Sequence, residues 1–485
     1  MDESAPDLRA ATLSGVKWTS AARLLAELAT FVASIVLARL IIPAEFGATV
    51  VALFAAAVGP ALAVQGVGSF LVHARAPGTH HYRAAVFLCV AGGLAGTVLT
   101  AGFALLVAPT LFSQRDADLL LLASPVTFLS SLAAVPLAEL QRQLDFRRLA
   151  IVEVAMSLAA PLVSVVLAAA GVEGEALIAG LLASAAVSAG LAGAYARPAR
   201  PGLRRAEIRE IAAFGAPAAF SSVLYTVMRN VDYVILAARL PAAQVGYYLR
   251  GFQLGSEYQS KISGILLRVA FPVFSRSRDL AEIRRTRARI VRVHATVLFP
   301  LLFGLIAVAP VFVPFVYGGN WSPAVPLTQI LAIGGMVAAM GTGTGPLLMA
   351  TAHPRALLVY NLLSTCAYVV GVLIAVPHGL IAVCWTVVGV TAVSFLVLQY
   401  AVVERVVGIP LLETLRDAVP ALCCGLGLYA TAWVGVDRLQ PELPDWSVLL
   451  ISGTAALAVY LLMLRVLFAA AWRDLALLVG SFRHR

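Results

Sequence analysis

An all-α polytopic membrane protein with about fourteen transmembrane helices is the fold class that this sequence predicts. Three observations lead there: an apolar composition, regularly spaced apolar runs long enough to cross a bilayer, and basic residues gathered in alternate connectors. Of the 485 residues, 61% are hydrophobic and 12% charged, and the mean hydropathy is +0.91. A soluble protein is roughly half apolar and about a quarter charged. No water-soluble fold of this size hides so much apolar surface, so lipid must be the solvent for most of it.

A spanning helix needs about 20 mainly apolar residues. That rule places spans near 18–42, 47–72, 84–108, 118–138, 149–171, 175–196, 211–238, 245–272, 293–316, 324–350, 357–376, 379–403, 415–436 and 446–470. Pro43, Pro109, Pro217 and Pro241 are expected at span ends. The formal charge of +10 would suit a nucleic-acid partner, but the basic residues lie in short connectors between apolar runs. Roughly 26 Lys and Arg fall at the two ends and in alternate connectors, against about four (Arg39, Arg115, Arg239, Arg438) on the other side. Both termini and the Arg197–Arg209 and Arg276–Arg292 connectors are therefore expected in the cytoplasm, where anionic headgroups also favour them. Membrane lipids are the expected surroundings, and no nucleic-acid partner is expected.

No connector exceeds about 20 residues, so no folded extramembrane domain is expected. The first 17 residues are polar and acidic without a basic n-region, and no removed signal peptide is expected.

The chain also echoes itself. Val36-Leu-Ala-Arg-Leu-Ile-Ile-Pro-Ala-Glu-Phe-Gly47 resembles Ile235-Leu-Ala-Ala-Arg-Leu-Pro-Ala-Ala-Gln-Val-Gly246, about 199 residues later. Six spans separate the copies, so both have the same orientation and would be related by a pseudo-two-fold axis along the membrane normal. The expected organisation is an N-lobe over 1–210 (helices 1–6), a C-lobe over 211–405 (helices 7–12), and helices 13–14 with a cytoplasmic tail over 406–485.

Ionisable side chains inside a span cost at least a few kcal/mol and tend to face a bundle interior or an aqueous cavity. In the first span Arg23, Glu27, Thr30 and Ser34 share one helical face. Ser222, Tyr225, Arg229 and Asp232 repeat the pattern in the seventh span, and Arg250, Glu257, Lys261, Gly264 and Arg268 line the eighth. Paired charges that only hold helices together are the bland explanation. Yet these spans carry about five cations against three carboxylates, Glu27, Asp232 and Glu257, and internal pairing leaves an excess. A wet, net-cationic cavity that attracts an anion is the simplest solution, and Arg suits bidentate contact with phosphate.

Other motifs are weaker. Cys89, Cys366, Cys384, Cys423 and Cys424 lack zinc spacing and read as small buried hydrophobes; no metal site is expected. Gly341-Thr-Gly-Thr-Gly-Pro346 has neither a preceding strand nor a following Lys, and reads as a locally unwound helix rather than a phosphate loop. His80 and His81 have no carboxylate at ligand spacing and are expected to be solvated. Asn320-Trp-Ser322 matches a glycosylation sequon, a short pattern that arises often by chance. No nucleophile stands beside a base.

Three stretches resemble a known family: Ala38 to Gly47; Asp232-Tyr-Val-Ile through Gly246-Tyr-Tyr with Ile265 to Arg276; and Val316-Tyr-Gly-Gly-Asn-Trp-Ser through Ala332. The chain looks like a polysaccharide-repeat flippase of the Wzx type, in the multidrug/oligosaccharidyl-lipid/polysaccharide exporter superfamily. Ile42 departs from the commonest loop pattern, where a Gly or Ser is frequent. The resemblance implies two six-helix lobes around a cation-lined cavity, plus two extra helices. It implies movement of undecaprenyl-diphosphate-linked oligosaccharide between leaflets of a bacterial cytoplasmic membrane by alternating access. Arg23, Arg229, Arg250 and Lys261, with Tyr225, would then face the substrate; Glu27, Asp232 and Glu257 would couple an ion or orient the cations. No catalytic residue and no cofactor is implied, proton or sodium coupling stays open, and a polysaccharide polymerase and chain-length machinery are the implied partners.

Three other functions compete. A cation-coupled multidrug exporter would want an acidic cavity. A peptidoglycan-precursor (lipid II) flippase fits the cavity charge, but the Tyr-Gly-x-x-Trp stretch resembles the polysaccharide branch. A membrane-embedded polymerase or glycosyltransferase would ordinarily need a large outward loop.

Overall fold

The computed structural model describes residues 26–485 apart from 75–76, 268–278, 352, 441 and 484–485. Every regular element among the described residues is a helix. Twelve of the described helices are long and apolar enough to cross a membrane, and each coincides with one of the fourteen expected spans. The other two expected spans, 18–42 and 245–272, run into residues outside that description.

The contacts divide the chain into two compact units, Met1–Gly246 and Tyr247–Arg485. In the first, α1 (26–40) leads to α2 (Pro43–Ala48) and α3 (Val50–His73). There follow α4 (Thr79–Leu106), α5 (Ala108–Leu111), α6 (Gln114–Ala123), α7 (Pro125–Arg142), α8 (Phe146–Ala169), α9 (Gly174–Tyr195) and α10 (Arg205–Ala237). Polar side chains fix the helix starts. Ser113 and Asp116 form a reciprocal cap on α6, with the Ser113 amide donating to Asp116 at 2.9 Å, and Asp145 caps α8. Pro217, expected at a span end, lies inside α10.

Lipid supplies no hydrophobic drive between helices, so close packing of small residues must hold them. Helix α10 lies along α3, where Gly66 and Gly215 bring their backbones together; a Cβ on either would strike the other's main chain. That contact draws α10 into the first unit, although it opens the second half of the internal echo. Around it Val67, Phe70, Leu71, Ala84, Ala85 and Ile211 form a buried core.

The second unit opens in α11 (Ala242–Phe252), which straddles the boundary, then a π-helical turn, Gln253–Glu257, and α12 (Tyr258–Leu267). It continues with α13 (Leu280–Tyr317), α14 (Ala324–Met340), α15 (Thr344–Ala350), α16 (Pro354–Ala375) and α17 (Leu380–Val397). A second π-helical stretch, Leu398–Val407, leads to α18 (Leu411–Leu439), α19 (Asp445–Leu467) and α20 (Ala469–Arg483). Helix α13 begins well before its expected span because Asp279 caps it, accepting from the Glu282 amide at 2.7 Å. The Arg-rich connector is therefore partly helix. Gly343 adopts φ 87°, the left-handed region a glycine enters freely, and breaks α14 from α15 as the sequence suggested. Phe299, Phe303, Met336, Cys424, Tyr460 and Ala471 share one buried core, so the last two spans and the C-terminal helix pack with α13 and α14.

Two further expectations need correction. Cys366 is exposed rather than buried, on a helix whose apolar side has little protein cover. His81 does have a carboxylate partner: its Nε2 lies 3.2 Å from Glu210, 129 residues away and invisible to local spacing.

Candidate functional site

In the first unit the echoed segments meet. A Cβ on Gly47 would overlap the Ala242 carbonyl oxygen, and a Cβ on Gly246 would overlap the Pro43 carbonyl oxygen. Each glycine thus packs on the carbonyl four residues before its counterpart, the reciprocity that a local two-fold axis between α2 and the start of α11 requires. Both glycines are buried. Beside them Arg115 joins three connectors. Its Nη2 donates to Glu45 at 2.7 Å and to Glu175 at 2.8 Å, while the Gly174 amide donates to Glu45 at 3.1 Å. Two carboxylates on one guanidinium hold α2, α6 and α9 together at this end.

Of the predicted residues in this unit, Arg23 lies outside the described residues. Glu27 is exposed on α1. On α10, Arg229 and Tyr225 are exposed neighbours: Arg229 Nη1 donates to the Tyr225 hydroxyl at 3.2 Å, and the guanidinium lies 5.9 Å from the ring centroid. Asp232, by contrast, is 1% exposed.

In the second unit the predicted residues part company. Arg250 is 3% exposed, with its guanidinium carbon 4.6 Å from the Tyr317 ring centroid and 5.0 Å from that of Trp321. Its Nη1 also donates to Gln253 at 3.1 Å. Both rings are 1% exposed. Gly318 at φ 101° and the short 3₁₀ turn Gly319–Trp321 swing Trp321 back beside Tyr317. The Tyr-Gly-x-x-Trp motif thereby builds an aromatic cage for one buried cation. One π turn later, Glu257 and Lys261 pair at 3.7 Å with their side chains 36% and 43% exposed.

Sequence spacing missed three polar clusters. The Arg115 rim is one. At the Arg-rich end of α13, Arg287 donates to Thr414 at 2.5 Å and Gln399 at 2.6 Å, and Arg292 reaches Asp417 at 2.8 Å and Asp474 at 3.2 Å. The third joins Gln259, Ser263 and His294. Their partners lie 31 to 182 residues apart outside the short α12 pair, so no periodicity could have found them. Among the described residues no cluster of His, Cys, Asp and Glu has the makings of a metal site.

The fold, with ionisable side chains set among its apolar helices, defines a polytopic helical membrane protein. The chain belongs to the polysaccharide biosynthesis protein family, whose profile matches residues 36–326. It is 28% identical over 380 residues to the lipopolysaccharide biosynthesis protein WzxC of Escherichia coli K12, spanning 76% of this chain and 75% of that one. It is also 28% identical over 192 residues to the teichuronic acid biosynthesis protein TuaB of Bacillus subtilis 168, 39% of this chain and 40% of that one. The Wzx-type resemblance read from the motifs stands on these matches. In fold it is similar to the lipid II flippase MurJ in an inward closed conformation, with a TM-score of 0.71 at 14% identity over 93% of this chain and 98% of that one. An inward-facing multidrug resistance MATE transporter follows at 0.56 and 13% identity, over 82% and 95%. The family match ties the chain to polysaccharide biosynthesis, and the two solved structures show its fold.

Proposed function

We propose that this protein flips undecaprenyl-diphosphate-linked oligosaccharide repeat units from the cytoplasmic to the periplasmic leaflet of a bacterial inner membrane. The units would serve exopolysaccharide, capsule or O-antigen synthesis, with polymerase and chain-length machinery downstream. One observation carries the reading: Arg229 stands exposed within the long apolar helix α10, and Lys261 stands exposed on α12, inside the expected span 245–272. A charge at that depth is too costly to face lipid, so a wet, substrate-accessible surface accounts for it best. Diphosphate oxygens suit Arg229 and Lys261, and sugar hydroxyls suit Tyr225. The polyprenyl tail can stay in lipid throughout, so no covalent step is needed.

Transport would proceed by rocking of two like-oriented halves, 1–210 and 211–405, with 406–485 attached to the second. Both termini would be cytoplasmic. Arg23 and Glu27 on the first helix would join the same surface; Asp232 and Arg250, being buried, would brace it from within. The family match favours polysaccharide precursors over the peptidoglycan precursor, and WzxC and TuaB both carry names from polysaccharide synthesis.

The test is leaflet exchange of a fluorescent undecaprenyl-diphosphate oligosaccharide in liposomes. Arg229→Ala and Lys261→Ala should each slow exchange about tenfold or more, since a hydrogen bond to a charged group contributes roughly 1.5–3 kcal/mol. Exchange at the wild-type rate in both variants would overturn the assignment.

A further inference from the structure

Helix α12 has two polar faces in this structure, and the transport reading uses one. Lys261, paired with Glu257 of the preceding π turn, occupies the exposed face. Gln259 and Ser263, one turn apart on the other face, are 4% and 7% exposed and point into the unit. There the Gln259 amide donates to the Ser263 hydroxyl at 2.7 Å, and that hydroxyl lies 2.8 Å from His294 Nε2 on α13. His294 is 1% exposed. The exposed Ser260 hydroxyl lies 3.1 Å from the Ser256 carbonyl oxygen and 3.4 Å from Gln259 Oε1.

We propose that His294 is a proton-binding site that sets the position of α12, and through it the presentation of Glu257 and Lys261 to the transported anion. The donor inventory gives the reason. With Gln259 donating to Ser263, the Ser263 hydroxyl donates on to His294 Nε2, and the neutral ring keeps its proton on Nδ1. Adding a proton to Nε2 turns the ring into a second donor aimed at Ser263 Oγ. The hydroxyl hydrogen must then leave the imidazole and find a new acceptor. The imidazolium would also sit buried, and among the described residues no carboxylate pairs with it.

The groups around it do not supply a counter-charge. On α12 the titratable groups are Tyr258 and Lys261, and α14 has none. On α13 itself the nearest along the chain are Arg292 and Arg289, with Arg287 two turns back. On α18 and α20, Asp417 and Asp474 are occupied by Arg292 and Arg289. On α19, Tyr460 donates its hydroxyl to the Thr296 carbonyl at 2.9 Å. Protonation, which reverses the donor on the Ser263–His294 bond, favours an arrangement in which α12 withdraws and water reaches His294. The π-helical turn Gln253–Glu257, immediately before α12, is a place where such a shift of register can be absorbed.

The proposal uses the flippase reading for its purpose but not for its test. Hydrogen–deuterium exchange of the α12 amides would be measured on the full chain in lipid nanodiscs between pH 5 and 8, after correction for the intrinsic rate. As pH falls, wild type should lose protection by up to tenfold per pH unit over part of this range, the limit for one linked proton. His294→Gln, which can still hydrogen-bond Ser263, should be flat. Ser263→Ala keeps the imidazole and removes its grip on α12, so its response should also vanish. A pH-flat wild type, or the wild-type response persisting in both variants, would overturn the site. Leaflet exchange of the same fluorescent lipid under a pH gradient separates the two readings. An intact α12 response without any exchange would sink the flippase and spare the proton site. Exchange that keeps its gradient dependence in His294→Gln would sink the site and spare the flippase.

Discussion

Arg229 and Arg250 are both arginines within apolar helices, yet their surroundings have little in common. Arg229 stands exposed on α10 beside Tyr225, and Arg250 is sealed between Tyr317 and Trp321. The same division separates the exposed Glu257–Lys261 pair from the pinned Arg115 and Arg287. A bilayer tolerates a cation in two ways only: surrounded by protein partners, or facing water. Arg250 and Arg287 are held by buried protein partners, whereas Arg229 and Lys261 stand exposed beside Tyr225 and Glu257.

Perturbing the scaffold should cost stability, and the largest effect is expected where backbones touch. Gly47→Val would drive a side chain into the Ala242 carbonyl, and more than about 3 kcal/mol is expected from such overpacking. Gly68→Ala on the same α3 meets nothing within 4 Å and should be neutral or stabilising by up to about 1 kcal/mol. Thermal unfolding in detergent, followed by tryptophan fluorescence, would show the contrast; equal midpoints for the two variants would dissolve the seam between the echoed segments.

Next in size is the cage. Arg250→Ala should lower stability by about 3 kcal/mol, from a desolvated cation–π contact and the void left between two rings. Arg229→Ala should stay within about 0.5 kcal/mol of wild type in the same unfolding assay. If the two fell together, the distinction between caged and open arginines would be lost.

The rim comes last. Arg115 is partly exposed, so Arg115→Ala should cost about 1 kcal/mol, leaving Glu45 and Glu175 to repel each other, and the loss should shrink at high salt. A loss unaffected by salt would point to packing rather than charge.

Much of the architecture was legible in the letters because bilayer thickness imposes one length scale on every span. The apolar runs 118–138 and 415–436 became parts of Gln114–Arg142 and Leu411–Leu439 for that reason. The echo around Gly47 and Gly246 was also readable, since a contact made by backbone on both sides admits only glycine. Burial around each charge was not. Helical spacing grouped Arg250 with Lys261, and what separates them is a π turn and two aromatic rings more than 60 residues further on.

The sequence by itself thus determined that the chain is helical and carries many apolar runs long enough to cross a membrane, because lipid enforces those choices locally. Only tertiary structure decided which cations are sealed and which are open, and that His294 meets Ser263. Those outcomes depend on side chains from distant helices arriving at one point, and no periodicity along the chain encodes that arrival.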